Sequence, residues 1–317
     1  MKMKKINTVL GTMDVSELGV VLPHEHFLMA EINLRFAFPD WIDMQAIEDC
    51  CVESLSKAKK YGLNTVIDAT PINLGRDIVL LQNISRRTGI HIIAATGFYF
   101  TEMPWFRTKN CDLDSLTEIL VKEAETGMQG TGARPGIIKC ATDADGVTPM
   151  NEMFLRAAAR ASLKTGLKLM THACVKNRSG LRQQEIFREE GVDLGNVIVG
   201  HCDDGDDWEY TKAVLENGSY VGMDRLGVEH IRPLAGRIDM LERTIKEGYG
   251  DRVFMSHDCN VWSDYGRAGG VRRMHDQDPD WNYCTIFEKV IPELLRRGVK
   301  EDEILRIMTT NVGTFLS

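Results

Sequence analysis

The stretch Val20-Val-Leu-Pro-His-Glu-His-Phe-Leu28 sets two histidines, His24 and His26, at the end of an apolar run. In an extended strand, side chains alternate faces, so residues i and i+2 point the same way. The pair therefore places two imidazoles side by side where a strand stops, and the usual reason for such a pair is a metal ion. Short His-x-His pairs also arise by chance. What decides the matter is whether the rest of the chain brings further ligands to the same place.

Working outward, this run is the first of eight short apolar segments, at residues 19–22, 65–69, 90–96, 136–141, 167–171, 196–200, 220–223 and 252–255. Most are rich in Val and Ile and too short for helices, so they read as strands buried on both faces. Between them lie amphipathic, charge-rich stretches at 44–61, 112–128, 151–165, 180–190 and 234–247. Several open near a capping residue (Asp43, Asp112, Asp206) and several close on glycine (Gly62, Gly166, Gly191, Gly248), as helices prefer. Strand–helix alternation repeated eight times without a linker predicts an α/β fold, a single (β/α)8 TIM barrel spanning residues 1–317 as one domain. A doubly wound sheet would carry a Gly-rich fingerprint after its first strand, and none is there. Residues 1–18 are expected to form a short hairpin extension over the barrel bottom. The long, polar and aromatic stretch 260–280 is a candidate substrate loop.

Composition narrows the function class. The chain has 317 residues, 43% hydrophobic and 26% charged, with a formal net charge of −8. An acidic balance without a Lys/Arg-rich tract argues against a nucleic-acid surface, and no apolar run is long enough to span a membrane. The N-terminal residues have a basic flank, but the apolar run after them is short and broken by Asn7, Thr8, Gly11 and Thr12. They read as a mature N-terminus of a cytoplasmic protein. The eight cysteines form no C-x-x-C pair and read as small buried hydrophobes in a reducing compartment, not as metal thiolates.

The chemistry is carried at the strand ends. Strand one ends in His24-Glu25-His26, strand four carries Lys139, strand five ends in His172, strand six in His201-Cys-Asp203-Asp204, and strand eight in His257-Asp258. In a TIM barrel these C-terminal ends converge on one mouth, where active sites sit. Three His and one Asp would satisfy a single zinc; four His, an Asp and a Lys point to two metals. Lys139 comes after Ile137 and Ile138 on a central strand, where an ordinary lysine is costly. Burial lowers its pKa and leaves a neutral nucleophile, which can take up CO2 as a carbamate with two oxygens able to bridge two cations. A bare ammonium beside two metals would be repelled.

The motifs Leu22-Pro-His-Glu-His26, Ala95-Thr-Gly97, Gly136-Ile-Ile-Lys139, Thr171-His172, Gly200-His-Cys-Asp-Asp204, Gly222-Met-Asp-Arg225 and Ser256-His-Asp258, in that order, resemble the phosphotriesterase family of the amidohydrolase superfamily over nearly the whole chain. The resemblance implies that His24, His26 and Asp258 hold a buried metal and that His172 and His201 hold a more exposed one. Carbamylated Lys139 and a hydroxide would bridge the two. Two cations about 3.5–4 Å apart lower the pKa of a shared water, and Asp258 would accept its proton and pass it to the leaving group. Zinc suits these ligands, and cobalt, manganese or iron would also fit. The resemblance also suggests a homodimer.

One position departs from the triesterases of the family, which carry a proton-passing His after the Gly-x-Asp of strand seven. Here it is Arg225, whose guanidinium stays charged and could anchor Asp204 or a substrate oxygen. With Tyr99 after strand three, it looks like the lactonase branch, where that Tyr contacts the lactone; simple core packing is the alternative for Tyr99. In the last loop, Trp262, Tyr265 and Trp281 could line an acyl pocket, or Arg267, Arg272 and Arg273 could bind a phosphate. Glu25 is expected to face the barrel wall. Asp203, Asp206 and Asp207 read as helix caps, with Asp204 supporting the ligands. His91, His230, His257 and His275 lack ligand context and read as structural. The expected function is hydrolysis of an acyl-homoserine or sugar lactone, a small-molecule substrate, with weaker phosphotriester hydrolysis. The alternative is an amidase or esterase on an N-acyl or carboxyl-ester substrate, and a non-catalytic metal-containing binding protein is the least favoured.

Overall fold

The apolar runs fold as parallel strands because each is buried on both faces and can satisfy its backbone only against two neighbours. The computed structural model of the chain describes residues 4–264 and 278–317. Among these, β1 (Lys5–Thr8) and β2 (Gly11–Asp14) form an antiparallel hairpin. The barrel strands are β3 (Val20–Glu25), β5 (Leu63–Asp68), β6 (His91–Gly97), β7 (Ile137–Ala141), β8 (Lys168–His172), β9 (Val197–Val199), β10 (Tyr220–Met223) and β11 (Val253–Met255). They pair in chain order into one eight-stranded parallel sheet. Two further short strands, β4 (Leu28–Met29) and β12 (Trp262–Ser263), pair with each other outside the barrel.

The seam between β3 and β11 is closed by bonds from the loop beyond β11. His24 N donates to Ser256 Oγ (2.9 Å), Asp258 N to His24 O (3.0 Å) and His26 N to Cys259 O (2.8 Å). The barrel interior is filled by Val21, Ile67, Ile93, Ile137, Met170, Ile198 and Phe254. Ile6, Met13 and Leu18 of the N-terminal segment join that cluster from below, with Val312 and Phe315 from the C-terminal helix. The hairpin extension therefore covers the barrel bottom, with Ile6, Met13 and Leu18 packed into it.

Helices form the outer layer, and their ends reflect side-chain chemistry. In α2 (Met44–Lys59) Asp43 accepts from Ala46 N; in α3 (Ile78–Thr88) Asp77 accepts from Leu80 N; in α4 (Leu113–Thr126) Asp112 accepts from Ser115 N. The next helix, α5 (Pro149–Thr165), starts on Thr148 and stops on left-handed Gly166. These caps satisfy amides that the helix leaves unpaired. Of the neighbouring aspartates read as caps, Asp207 is one and Asp206 is not. The cap of the helix Trp208–Glu216 is Asp207, which accepts from Tyr210 N, while Asp206 is exposed and pairs with Arg232. A short helix, α1 (Ile32–Ala37), comes after β4 and was not expected from any periodicity. No helix among the described residues is long and apolar enough to cross a membrane.

Candidate metal centre

The histidines and Asp258 stand at or just beyond the C-terminal ends of their strands, and Lys139 is the middle residue of β7. In register, Gly97 lies opposite Lys139, Lys139 opposite Met170 and Ala141 opposite His172. His24, His26, Lys139, His172 and His201 are all buried, and Asp258 nearly so. His201 and Asp258 have left-handed backbones, with φ of 63° and 51°. Such conformations are costly for residues with a Cβ and collect at functional sites.

One carboxylate that sequence reasoning left without a role organises the histidines. Asp224, at the end of β10, takes the ring N–H of His24 on one oxygen (2.6 Å) and both the ring N–H and the backbone N–H of His201 on the other (2.8 Å each). With Nδ1 donating, the neutral tautomer leaves Nε2 as a lone pair on both rings. His24 Nε2 then lies 2.6 Å from Lys139 Nζ and 3.4 Å from Asp258 Oδ1. His26 Nε2 lies 3.1 Å from the same Asp258 oxygen, with its Nδ1 at Thr70 Oγ1 (2.8 Å). His201 Nε2 lies 2.9 Å from His172 Nδ1 and 3.9 Å from Asp258 Oδ2. The ligand atoms of His24, His26 and Asp258 fall within 4.8 Å of one another, as do those of His24, His201 and Asp224. In the second group both Asp224 oxygens already accept N–H bonds, so Asp224 orients ligands instead of serving as one.

The electrostatics suit a cation. Burial, helped by the nearby Lys139 charge, pushes His24 down to about 3 against the pull of Asp224 and Asp258. His172 is likewise pushed down to about 3, by burial and then by His201. Burial works against the charge on Asp258, but His201, Arg225 and His24 outweigh it and hold the carboxyl well below its usual range. Burial also brings Lys139 down to about 8, with Asp258 and Asp224 opposing. The site thus gathers two imidazoles, His24 and His172, held uncharged, an ionised carboxylate and an amine whose pKa is brought toward neutral pH. Lone pairs converge here, met by the Lys139 amine at His24 and by one ring N–H shared between His172 and His201. This donor set fits divalent cations.

Arg225, next in sequence to Asp224, joins the centre to a charged layer behind it. Its Nε donates to Asp258 Oδ2 (2.8 Å) and its terminal nitrogen to Asp204 Oδ2 (2.6 Å). Asp204 also accepts from the fully buried Arg237 (2.9 Å), which bonds Asp203 at 2.7 Å. Asp203 is a correction: it caps no helix, but accepts from Arg237 and from the amides of Asp224 and Arg225 (3.3 Å each).

A cavity of about 180 Å³ opens on His26, Lys139, His172 and Asp258, walled by Met29, Leu74, Tyr99, Arg225, Asn260 and Trp281. Tyr99 meets the His172 ring edge-on at 5.5 Å between centroids. Trp262 is a second correction, because it is buried in the hydrophobic core and not in this wall. The β4–β12 register explains it: Ser263 pairs with Met29 and Trp262 with Leu28. Since neighbours point to opposite sides, Met29 and Ser263 reach the cavity while Leu28 and Trp262 turn to the core. Tyr265, Arg267, Arg272, Arg273 and His275 lie outside the described residues.

The remaining expectations resolve into supporting roles. Glu25 lies fully buried in the β3–β11 seam. His257 gives its Nδ1 proton to Glu25 (2.8 Å) and accepts from Ile286 N (3.1 Å), and His230 pairs with Asp278. All eight cysteines are free, and Cys140, Cys202 and Cys259 are buried.

Comparison with known proteins adds to this geometry. The chain is 35% identical to a phosphotriesterase homology protein of Mycobacterium tuberculosis, covering 98% of this chain and 96% of that one. It is 33% identical to an aryldialkylphosphatase of Saccharolobus solfataricus (96% and 97% covered) and 25% identical to an N-acetyltaurine hydrolase of Tetraodon nigroviridis (99% and 98%). A solved structure of the phosphotriesterase from Mycobacterium tuberculosis superposes with a TM-score of 0.91 at 34% identity, covering 99% of this chain and 98% of that one. With the phosphotriesterase family model matching residues 4–316, the chain belongs to the phosphotriesterase family of hydrolases.

Proposed function

We propose that this hydrolase is metal-dependent and opens lactones or related carboxyl esters, with weaker action on phosphotriesters. The observation that carries the reading is the clustering of four imidazoles, Asp258 and Lys139 at the barrel mouth, where His26, His172, Lys139 and Asp258 line one cavity. His24, His26 and Asp258 would hold one divalent cation, zinc above all, and His172 and His201 a second. Lys139 would serve both as a carbamate: its neutral amine adds to the carbon of CO2, forming an N–C bond and releasing one proton. When bound, such cations polarise a carbonyl or phosphoryl oxygen and make a water nucleophilic near neutral pH.

The chain's own groups then set the proton's path. Asp258 Oδ2 accepts from Arg225 and Oδ1 faces His24 and His26, so a proton from the attacking water would go to a lone pair that these contacts leave on the carboxylate. Arg225 cannot carry it onward because its guanidinium stays charged. The proton must return to the leaving oxygen within the cavity. A lactone suits that restriction, because its alkoxide stays tethered after the ring opens. The cavity is smaller than the usual ligand pocket of about 300–1,000 Å³, so the described walls enclose the reacting head of a substrate and not a long tail.

A second reading, hydrolysis of an N-acyl amide, has its own support in Asn260. This wall residue is buried, and its side-chain oxygen meets no donor among the described residues; an N–H on the substrate would supply one. A hydrolysis panel separates the readings: acyl-homoserine lactones, plain lactones, phosphorylated sugar lactones, N-acyl amino acids and paraoxon, after reconstitution with zinc and bicarbonate. Lactones are expected to turn over fastest and paraoxon slowly. Hydrolysis of the amides without the lactones would overturn the first reading, and fewer than one metal per chain would sink the paired-metal centre. A cytoplasmic homodimer acting on a small molecule is the accompanying proposal, for which light scattering gives the assembly.

A further inference from the structure

We propose that Glu25, the residue between the two histidines, is a positioning residue that fixes Asp258 across the barrel seam. The proposal rests on the reading of Asp258 as a metal ligand and proton acceptor. Asp258 holds a left-handed backbone, φ 51°, which a residue with a Cβ rarely keeps unless its surroundings impose it. Glu25 supplies the imposition from both sides. One carboxylate oxygen accepts the amide of His257 (2.9 Å), and the other accepts the amide of Cys259 (2.8 Å). The amide between them, that of Asp258 itself, donates to His24 O (3.0 Å). Three successive N–H groups are thus anchored on two successive residues of β3. His26 N closes the set by donating back to Cys259 O.

The motif itself produces this geometry. Alternation sends His24 and His26 toward the ligand cluster and Glu25 to the opposite side, where its carboxylate is fully buried. There it meets the loop that carries the third ligand. Consecutive amides around a left-handed residue form a concavity for an anion, and here the anion is a side chain of the same chain. Only a carboxylate fits, because each oxygen must accept. Ser256 Oγ and His257 Nδ1 also donate to the first oxygen, at 2.8 Å each. An amide in place of the carboxylate would turn its NH2 toward one of the two backbone N–H groups. Asp258 Oδ1, at 3.1 Å from His26 Nε2 and 3.4 Å from His24 Nε2, would then lose its fixed direction. His24-Glu25-His26 in this way provides two ligands and the brace for a third.

The test compares Glu25→Gln with the wild type, both reconstituted with zinc and bicarbonate. Three quantities are read: zinc retained against a chelator, kcat and KM on the best lactone, and the Tm of the metal-free protein. The expected result is weaker retention of one of the two zinc ions by about tenfold or more. With it, kcat falls by about thirtyfold while KM moves less than about threefold. A brace for the seam alone would lower Tm and leave zinc retention and kcat per folded molecule unchanged, and that outcome overturns the proposal. Should Glu25→Gln fail to fold, Glu25→Asp decides, since it keeps the charge but is too short to reach both amides; the same loss is expected, and wild-type zinc retention and kcat would overturn it. A wild type that retains no zinc would bring down the metal reading and this inference together. A zinc-loaded wild type beside unaffected variants would bring down only the inference.

Discussion

Asp224 acts on two histidines at once, and that sharing sets its weight at the scale of single residues. Each imidazole needs its Nδ1 proton held so that Nε2 faces inward, and one carboxylate does this for His24 and His201. Burial alone would raise its pKa, but the contacts with His201 and His24 reverse the direction and keep it well below the usual range. Replacing it by Asn leaves one acceptor and one donor, so one of the two rings must lose its partner or adopt the other tautomer. Asp224→Asn is therefore expected to weaken metal retention by about 10–100-fold, the scale found for partners that orient metal ligands, with the fold intact. Chelator competition and circular dichroism check it; unchanged retention would mean that the rings are held by packing alone. Asp224 was visible in the sequence within Gly222-Met-Asp-Arg225 but carried no signal of its own. Its role depends on meeting residues 200 and 23 positions away in sequence.

Among the elements, the strands were legible and the additions to the barrel mouth were not. A strand buried on both faces must be a continuous apolar run, and that pattern survives in one dimension. The β4–β12 pair is too short for any period to show, and the same shortness hid which of Trp262 and Ser263 faces the cavity. Asp206 and Asp207 differ only in which one reaches the amide of Tyr210, which composition cannot decide. The end of β6 gives the clearest elemental prediction. Gly97 has φ 121°, and a Cβ built on it would stand 1.8 Å from the carbonyl oxygen of Lys139 on β7. Gly97→Ala must therefore push β6 away from the strand that carries Lys139. Gly166, at the end of α5, shares a positive φ but has open space around it, so its change to Ala carries only the left-handed backbone cost of about 1–2 kcal/mol. Calorimetry on both variants should show a much larger loss for Gly97→Ala, with depleted metal as well. Equal losses would show that the two strands can part without cost.

At the scale of the whole molecule, the centre is a place where the fold accepts instability for the sake of chemistry. Lys139 shows it most directly. Its pKa in the fold is about 8, below the ordinary 10.5, chiefly because burial disfavours the ammonium. Between those two values the unfolded chain binds more protons than the folded one, so stability rises with pH across that window. Below about pH 8 both states are protonated and the full penalty stands. Above about 10.5 neither is, and it vanishes. His24 and His172, at about 3 against 6.5, act with the same sign at lower pH: the empty centre loses stability as pH falls from 6.5 toward 3. Lys139→Met keeps the chain's volume and removes the charge. In the metal-free state this variant is expected to melt above the wild type at pH 7. Its advantage should shrink as pH rises from about 8 toward 10.5. The same variant should be inactive after zinc and bicarbonate, since it can form no carbamate. Differential scanning calorimetry across that range, paired with one activity measurement, checks both halves. A metal-free Met variant less stable than the wild type at pH 7 would show that the Lys139 contacts with His24 and the two aspartates outweigh its burial. A fully active one would remove Lys139 from the chemistry.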